Sequence, residues 1–215
     1  MTNELLDIRR PIKSRNSGWA VQAAKWLAAR RVTPNQISVA SMGFAALGGL
    51  AFCLVPHIDG ALRVFLLLVA IAGVQGRLLC NLFDGMVAVE HGAGGKDGPF
   101  WNEFPDRVSD FLLLTGAGIA CGLPWLGLVA AALAIFVAYV RELGRANALP
   151  ADFGGPMAKQ HRMGVLTGAC ALAIFEPLWS SHDILLPAAL GVISLGAVLT
   201  IFLRSRRLVA GLKSQ

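Results

Sequence analysis

Charged residues are scarce. They make up 15% of the 215 residues, against about 25% in a soluble globular chain. The hydrophobic share is 55%; counting the 24 glycines and leaving out the single tyrosine brings the apolar fraction to roughly two-thirds. A soluble domain of this size cannot hide that much apolar surface, so part of the solvent must be lipid. This excludes a disordered chain, a fibrous repeat and a soluble nucleic-acid-binding module. Cysteine is sparse too. Cys53, Cys80, Cys121 and Cys170 each lie within an apolar run, far apart in sequence. They fit neither a zinc pattern nor a disulfide framework and read as buried thiols. The N-terminal segment lacks an apolar core and a small-residue cleavage site, so it does not read as a signal peptide.

What is present is a series of apolar runs. The reading is a single all-α integral membrane domain over residues 1–215. An amphipathic interfacial helix at 17–31 precedes six transmembrane helices, near 36–56, 61–88, 105–123, 124–147, 164–180 and 183–204. In the interfacial segment Trp19, Ala23, Trp26 and Leu27 form the apolar stripe, with Lys25, Arg30 and Arg31 on the polar side. Thr33-Pro34-Asn35 breaks this helix and caps the next. The basic residues set the orientation. Of the 19 Lys and Arg, all but Arg63 fall on one side of such a layout. Both termini and the two polar loops are therefore expected to face the cytoplasm. The net charge of +6 then reflects cationic helix flanks against anionic lipid, with no nucleic-acid partner.

Ionisable groups at membrane depth are costly and mark function by default. The densest set is Asn81, Asp84, Asp106 and Asp110. Asn81, Asp84, Gly85 and Ala88 share one face at the end of the second span. Asp106 and Asp110, four apart, share one face at the start of the third. A short antiparallel connection would set the two faces opposite each other. Carboxylates so grouped repel unless a cation lies between them. Oxygen ligands without nearby Cys or His suit Mg²⁺, Mn²⁺ or Ca²⁺. The plain structural alternative is that Pro105-Asp106 simply opens the third span, with Asp at the positive end of a helix.

The spacing resembles the signature of the CDP-alcohol phosphotransferases, D-x-x-D-G-x-x-A-R followed by G-x-x-x-D-x-x-x-D. Residues 81–89 read NLFDGMVAV and residues 102–110 read NEFPDRVSD. The segment RRVTPN at 30–35 is similar to the family's approach to its first span. In detail the chain looks closest to a bacterial branch with Asn at the first motif position. The resemblance implies the transfer of a phosphatidyl group from CDP-diacylglycerol to a small polar alcohol in phospholipid synthesis. CMP is released by metal-assisted in-line attack. It further implies Asn81, Asp84, Asp106 and Asp110 as ligands of Mg²⁺ or Mn²⁺, two ions, or one because of Asn81. Asp110 is the general base, and Asn35, Gly85 and Ala88 line the donor pocket. A homodimer in the bacterial inner membrane, with its active site cytoplasmic, follows from the same resemblance.

Three motif positions depart from the pattern: Asn81 for Asp, Val89 for Arg, and Asn102 for Gly. An Asn oxygen ligates a hard cation without bringing charge. Glu90 and Glu103 are the candidates to compensate. Arg141, Arg145, Lys159 and Arg162 are candidates for binding the acceptor or a phosphate, the alternative being ordinary cationic flanks. The departures also allow a catalytically weak relative that binds nucleotide-lipid as a regulatory or scaffold protein.

Overall fold

The computed structural model describes residues 17–90, 97–179 and 183–215. Among these residues there are seven α-helices and no strand. They are α1 (Gly18–Ala29), α2 (Pro34–Leu54), α3 (Gly60–Glu90), α4 (Gly98–Ala120), α5 (Pro124–Ala146), α6 (Lys159–Ala173) and α7 (Leu185–Lys213). Four segments are long and apolar enough to cross a membrane: Pro34–His57, Gly60–Ala88, Pro124–Ala146 and Leu185–Lys213. The other two expected spans fall short for visible reasons. Helix α4 carries Glu103, Asp106, Arg107 and Asp110, and α6 is only 15 residues long.

Local chemistry sets the helix ends. Thr33 caps α2 with a reciprocal pair of bonds: its hydroxyl accepts from the Gln36 N–H at 3.2 Å, and the Gln36 side chain accepts from the Thr33 N–H at 2.9 Å. Helix α4 begins at Gly98, seven residues before Pro105. Pro99 sits in the first turn, where the missing N–H costs nothing. Pro105 therefore lies inside the helix and does not open it, contrary to the plain alternative reading of that motif. Helix α7 runs on to Lys213, beyond the expected end near residue 204. Arg204 is held by the Gly154 and Val137 carbonyls at 2.9 and 2.8 Å, which lets a cation sit within the bundle.

Helix α1 lies against α3. Ala20 and Ala24 are its buried residues, packed with Cys80, Leu82, Met86 and Val87. Trp19 and Trp26 are exposed, and Trp19 meets Phe83 edge-on. The packed face is thus centred on alanine, while the tryptophans point outward, as amphipathic side chains at a lipid boundary do.

Helix α2 is the hub, packing closely against both α3 and α4, whereas α3 and α4 touch each other sparingly. Small residues make this possible. A Cβ on Gly73 would lie 2.7 Å from the Gly48 Cα, and one on Gly116 would lie 2.7 Å from the Gly49 carbonyl oxygen. Membrane helices gain little from apolar burial alone, so close backbone approach carries their association. The largest apolar side chains left over, among them Leu50, Phe65, Phe136, Leu195 and Phe202, face outward. On a protein crossing a bilayer that is the lipid face.

At the end of the bundle away from the motif, Glu176 is buried and accepts N–H bonds from Ile184 and Leu185 at 2.6 and 2.9 Å. It satisfies two orphan donors at the start of α7. Arg63 pairs there with Asp183 at 2.5 Å. Glu176 and Asp183 thus tie that end of the bundle together.

Candidate active site

Helix periodicity places Arg77, Asn81, Asp84, Gly85 and Ala88 on one side of α3, and Asn102, Asp106 and Asp110 on one side of α4. Because α3 and α4 barely touch, their motif faces do not close on each other as a plain hairpin. Side chains span the gap, and the start of α2 borders it.

Asp84 is 6% exposed, and its Oδ2 accepts a hydrogen bond from the Ser38 hydroxyl at 2.9 Å. Among the described residues it forms no ion pair. It lines an open cleft of about 70 Å³ together with Pro34, Asn35, Ser38, Gly85, Ala88, Gly98, Trp101 and Asn102. The cleft therefore collects both motif halves and the start of α2. Asp97 ties its rim: its Oδ2 accepts from Asn35 Nδ2 at 2.9 Å and from Trp101 Nε1 at 2.8 Å.

Asp106 and Asp110 are held differently. Asp110 is fully buried; Arg77 Nη2 meets its Oδ1 and Arg162 Nη2 meets its Oδ2, each at 2.7 Å. Asp106 receives Lys159 Nζ at 2.5 Å on Oδ2, and Arg77 Nη2 stands 3.5 Å from its Oδ1. Arg77 also donates to the Asp106 carbonyl at 3.2 Å. Lys159 stands at the start of α6, ahead of the fifth apolar run. Burial pushes its ammonium below the ordinary lysine range, and the adjacent Asp106 pulls it back up. The side chain stays 27% exposed, so it is wetter than the two guanidiniums.

Asn81 donates to the Arg77 carbonyl at 3.2 Å, which spends its amide on its own helix. Glu103 pairs with Arg107 and Arg141 and is thereby directed away from any compensating role at Asp106. Arg141 and Arg145 both bond Glu142 at 2.9 Å. All four cations proposed for an acceptor or phosphate are thus already matched to carboxylates. The side chains of Glu90 and Val89 lie outside the described set.

Arg77, Ser38 and Asp97 carry little signature in the sequence. Arg77 counted there only as a cationic flank, although it sits one turn before Asn81 on the same helix face. Ser38 had no signal beyond its position one turn after Pro34.

The residues present do not fit a pair of divalent ions. Among the described residues, no group of three or more His, Cys, Asp or Glu stands together as a metal-binding set. The oxygens of Asp106 and Asp110 that would ligate an ion face a lysine and two arginines instead.

No family model matches the sequence, and no curated protein sequence matches it either. Solved structures do match. Phosphatidylinositol phosphate synthase from Mycobacterium tuberculosis, in complex with manganese and citrate, superposes with a TM-score of 0.72 at 18% identity, covering 88% of each chain. The same enzyme with CDP-DAG bound gives 0.71 at 19% identity, covering 88% of this chain and 92% of that one. Its apo form gives 0.68 at 18% identity, covering 86% and 93%. The chain thus shares the fold of that synthase. The solved neighbours are CDP-alcohol phosphotransferases, the family whose motif the sequence resembles.

Proposed function

We propose that this protein transfers a phosphatidyl group from CDP-diacylglycerol to a small polar alcohol and releases CMP. The observation that carries this reading is the cleft at Asp84. It gathers residues from both motif halves and from Asn35, within a fold whose solved counterpart holds CDP-DAG. The reading includes six spans, a cytoplasmic motif face, a bacterial inner membrane and the homodimer implied by the resemblance. A lipid donor reaches the cleft laterally, and a soluble alcohol reaches it from water.

In the reaction the alcohol oxygen attacks the phosphorus distal to cytidine. The bond from that phosphorus to the bridging oxygen breaks, and CMP leaves with the electron pair. The alcohol proton needs an acceptor. The motif resemblance gives that role to Asp110, but Asp110 stands behind the cleft with both oxygens engaged by guanidiniums. A carboxylate so engaged turns no open oxygen towards the alcohol. Asp84 lines the cleft, accepts a hydrogen bond from the Ser38 hydroxyl and carries no ion pair among the described residues. We therefore assign proton acceptance to Asp84 and give Ser38 the task of orienting it. Because Arg141, Arg145, Lys159 and Arg162 are paired internally, nothing in the cluster selects an anionic acceptor over a neutral one.

The test is CMP release by purified protein with CDP-diacylglycerol and a pool of candidate alcohols. Alcohol-dependent release establishes the reaction. Donor binding without release under any condition favours the regulatory or scaffold reading, which the internally paired carboxylates motivate. A narrower prediction concerns Asp97. Asp97→Ala cuts the tie between Asn35 and Trp101. It is expected to raise the donor KM about 3- to 10-fold, the worth of an ordinary hydrogen bond, with kcat at saturation kept. A lowered kcat with unchanged KM would contradict the rim role.

A further inference from the structure

We propose that Arg77, Arg162 and Lys159 occupy the place of divalent ions, so that this site handles its anionic ligand without bound metal. The inference deepens the reading above and rests on it for the identity of the ligand, a nucleoside-diphosphate lipid.

The family pattern brings four aspartates, but Asn81 leaves three here: Asp84, Asp106 and Asp110. Clustered carboxylates call for positive charge between them, and the protein supplies it from its own side chains. Arg77 and Arg162 share Asp110 at 2.7 Å each, and Lys159 takes Asp106 at 2.5 Å. Three negative charges meet three positive ones, and the set is neutral as folded. The loss and the gain fall on one helix face, since Arg77 lies one turn before Asn81.

Geometry agrees. A divalent ion seated on Asp106 or Asp110 would share its ligand oxygens with an ammonium or a guanidinium. Like charges at ligand distance repel strongly in a buried site. Arg77 is fully buried and Arg162 is 1% exposed, so neither can swing aside into water.

The guanidiniums also have donors to spare. Nε and Nη1 of Arg77 and Nε of Arg162 are buried without a hydrogen-bond partner. Unpaired buried donors are costly and call for an acceptor. Phosphate oxygens are acceptors of the geometry that guanidinium groups favour. The guanidiniums are buried and absent from the lining of the Asp84 cleft, so what they replace is the charge a metal pair would bring to Asp106 and Asp110.

The experiment is a Mn²⁺ titration of the full-length protein in detergent, read by the loss of the free-ion electron paramagnetic resonance signal. CDP-diacylglycerol binding is measured in parallel with EDTA and with Mn²⁺. The wild type is expected to show no saturable Mn²⁺ site and to bind donor equally well in EDTA. Arg77→Met is expected to gain a Mn²⁺ site, because Asp106 and Asp110 lose their shared cation. Lys159→Met, at the wetter edge, is expected to do the same if Arg77→Met does not fold, and Lys159→Arg to restore the exclusion. Stoichiometric Mn²⁺ binding by the wild type that Asp106→Asn abolishes would overturn the proposal. So would folded Lys159→Met that fails to take up Mn²⁺, since the cations would then not be what excludes it. If donor fails to bind in either condition, the ligand reading fails, and the Mn²⁺ titration still decides whether cations replace metal.

Discussion

Asp84→Asn is expected to lower alcohol-dependent CMP release by about 10²- to 10⁴-fold, the range that general-base removal produces, while leaving thermal stability nearly unchanged. The side chain keeps its shape, and the hydrogen bond from Ser38 can still be accepted by an amide oxygen. No ion pair is lost. Asp110→Asn should behave in the opposite order. It leaves two buried guanidiniums without their shared carboxylate. Breaking such a pair costs about 3–5 kcal/mol, so unfolding is expected to precede any kinetic effect. Adding Arg77→Met to Asp110→Asn removes one stranded charge and should recover part of that stability, a non-additivity expected of residues in contact. The checks are thermal unfolding in detergent alongside CMP release. A normally folded but inactive Asp110→Asn protein would return the base role to Asp110.

Gly73→Val should be the most damaging change away from the charged cluster. The added Cβ would stand 2.7 Å from both the Gly48 Cα and the Phe44 carbonyl oxygen. These are backbone atoms, so whole helices must separate. Overpacking of flexible side chains costs about 1–3 kcal/mol, and here about 3 kcal/mol or more is expected. Activity should fall with stability, because α2 carries Asn35 and Ser38 while α3 carries Asp84. Gly168→Ala is the control. A Cβ there meets nothing within 4 Å, and alanine is the better helix former. Equal thermal midpoints for the two variants would show that the α2–α3 crossing does not depend on close approach.

Much of this arrangement was legible in the primary structure. The apolar runs, the helix break at Thr33-Pro34 and the spacing of Asp84, Asp106 and Asp110 all report local periodicity, which a helix converts directly into faces. Arg77 shows where that reading stops. A basic residue near the end of an apolar run has the same signature whether it snorkels to the interface or turns inward to a carboxylate. Only the partner decides, and Asp110 lies 33 residues away. Glu103 misleads in the reverse direction. Beside the motif it seemed able to replace a lost ligand, yet Arg141, 38 residues on, claims it.

The sequence alone determined that the chain is helical and largely apolar, that its acidic residues gather at the ends of two helices, and that one of the expected aspartates is missing. These follow from composition and from a repeat of 3.6 residues, both local properties. The tertiary structure decided which cation meets which carboxylate. It put α2 between the motif helices through glycine contacts, left Asp84 alone on the cleft and locked Asp110 between two arginines. Ion pairing in a buried site depends on side chains brought together from distant segments, and no local pattern in the sequence encodes that choice.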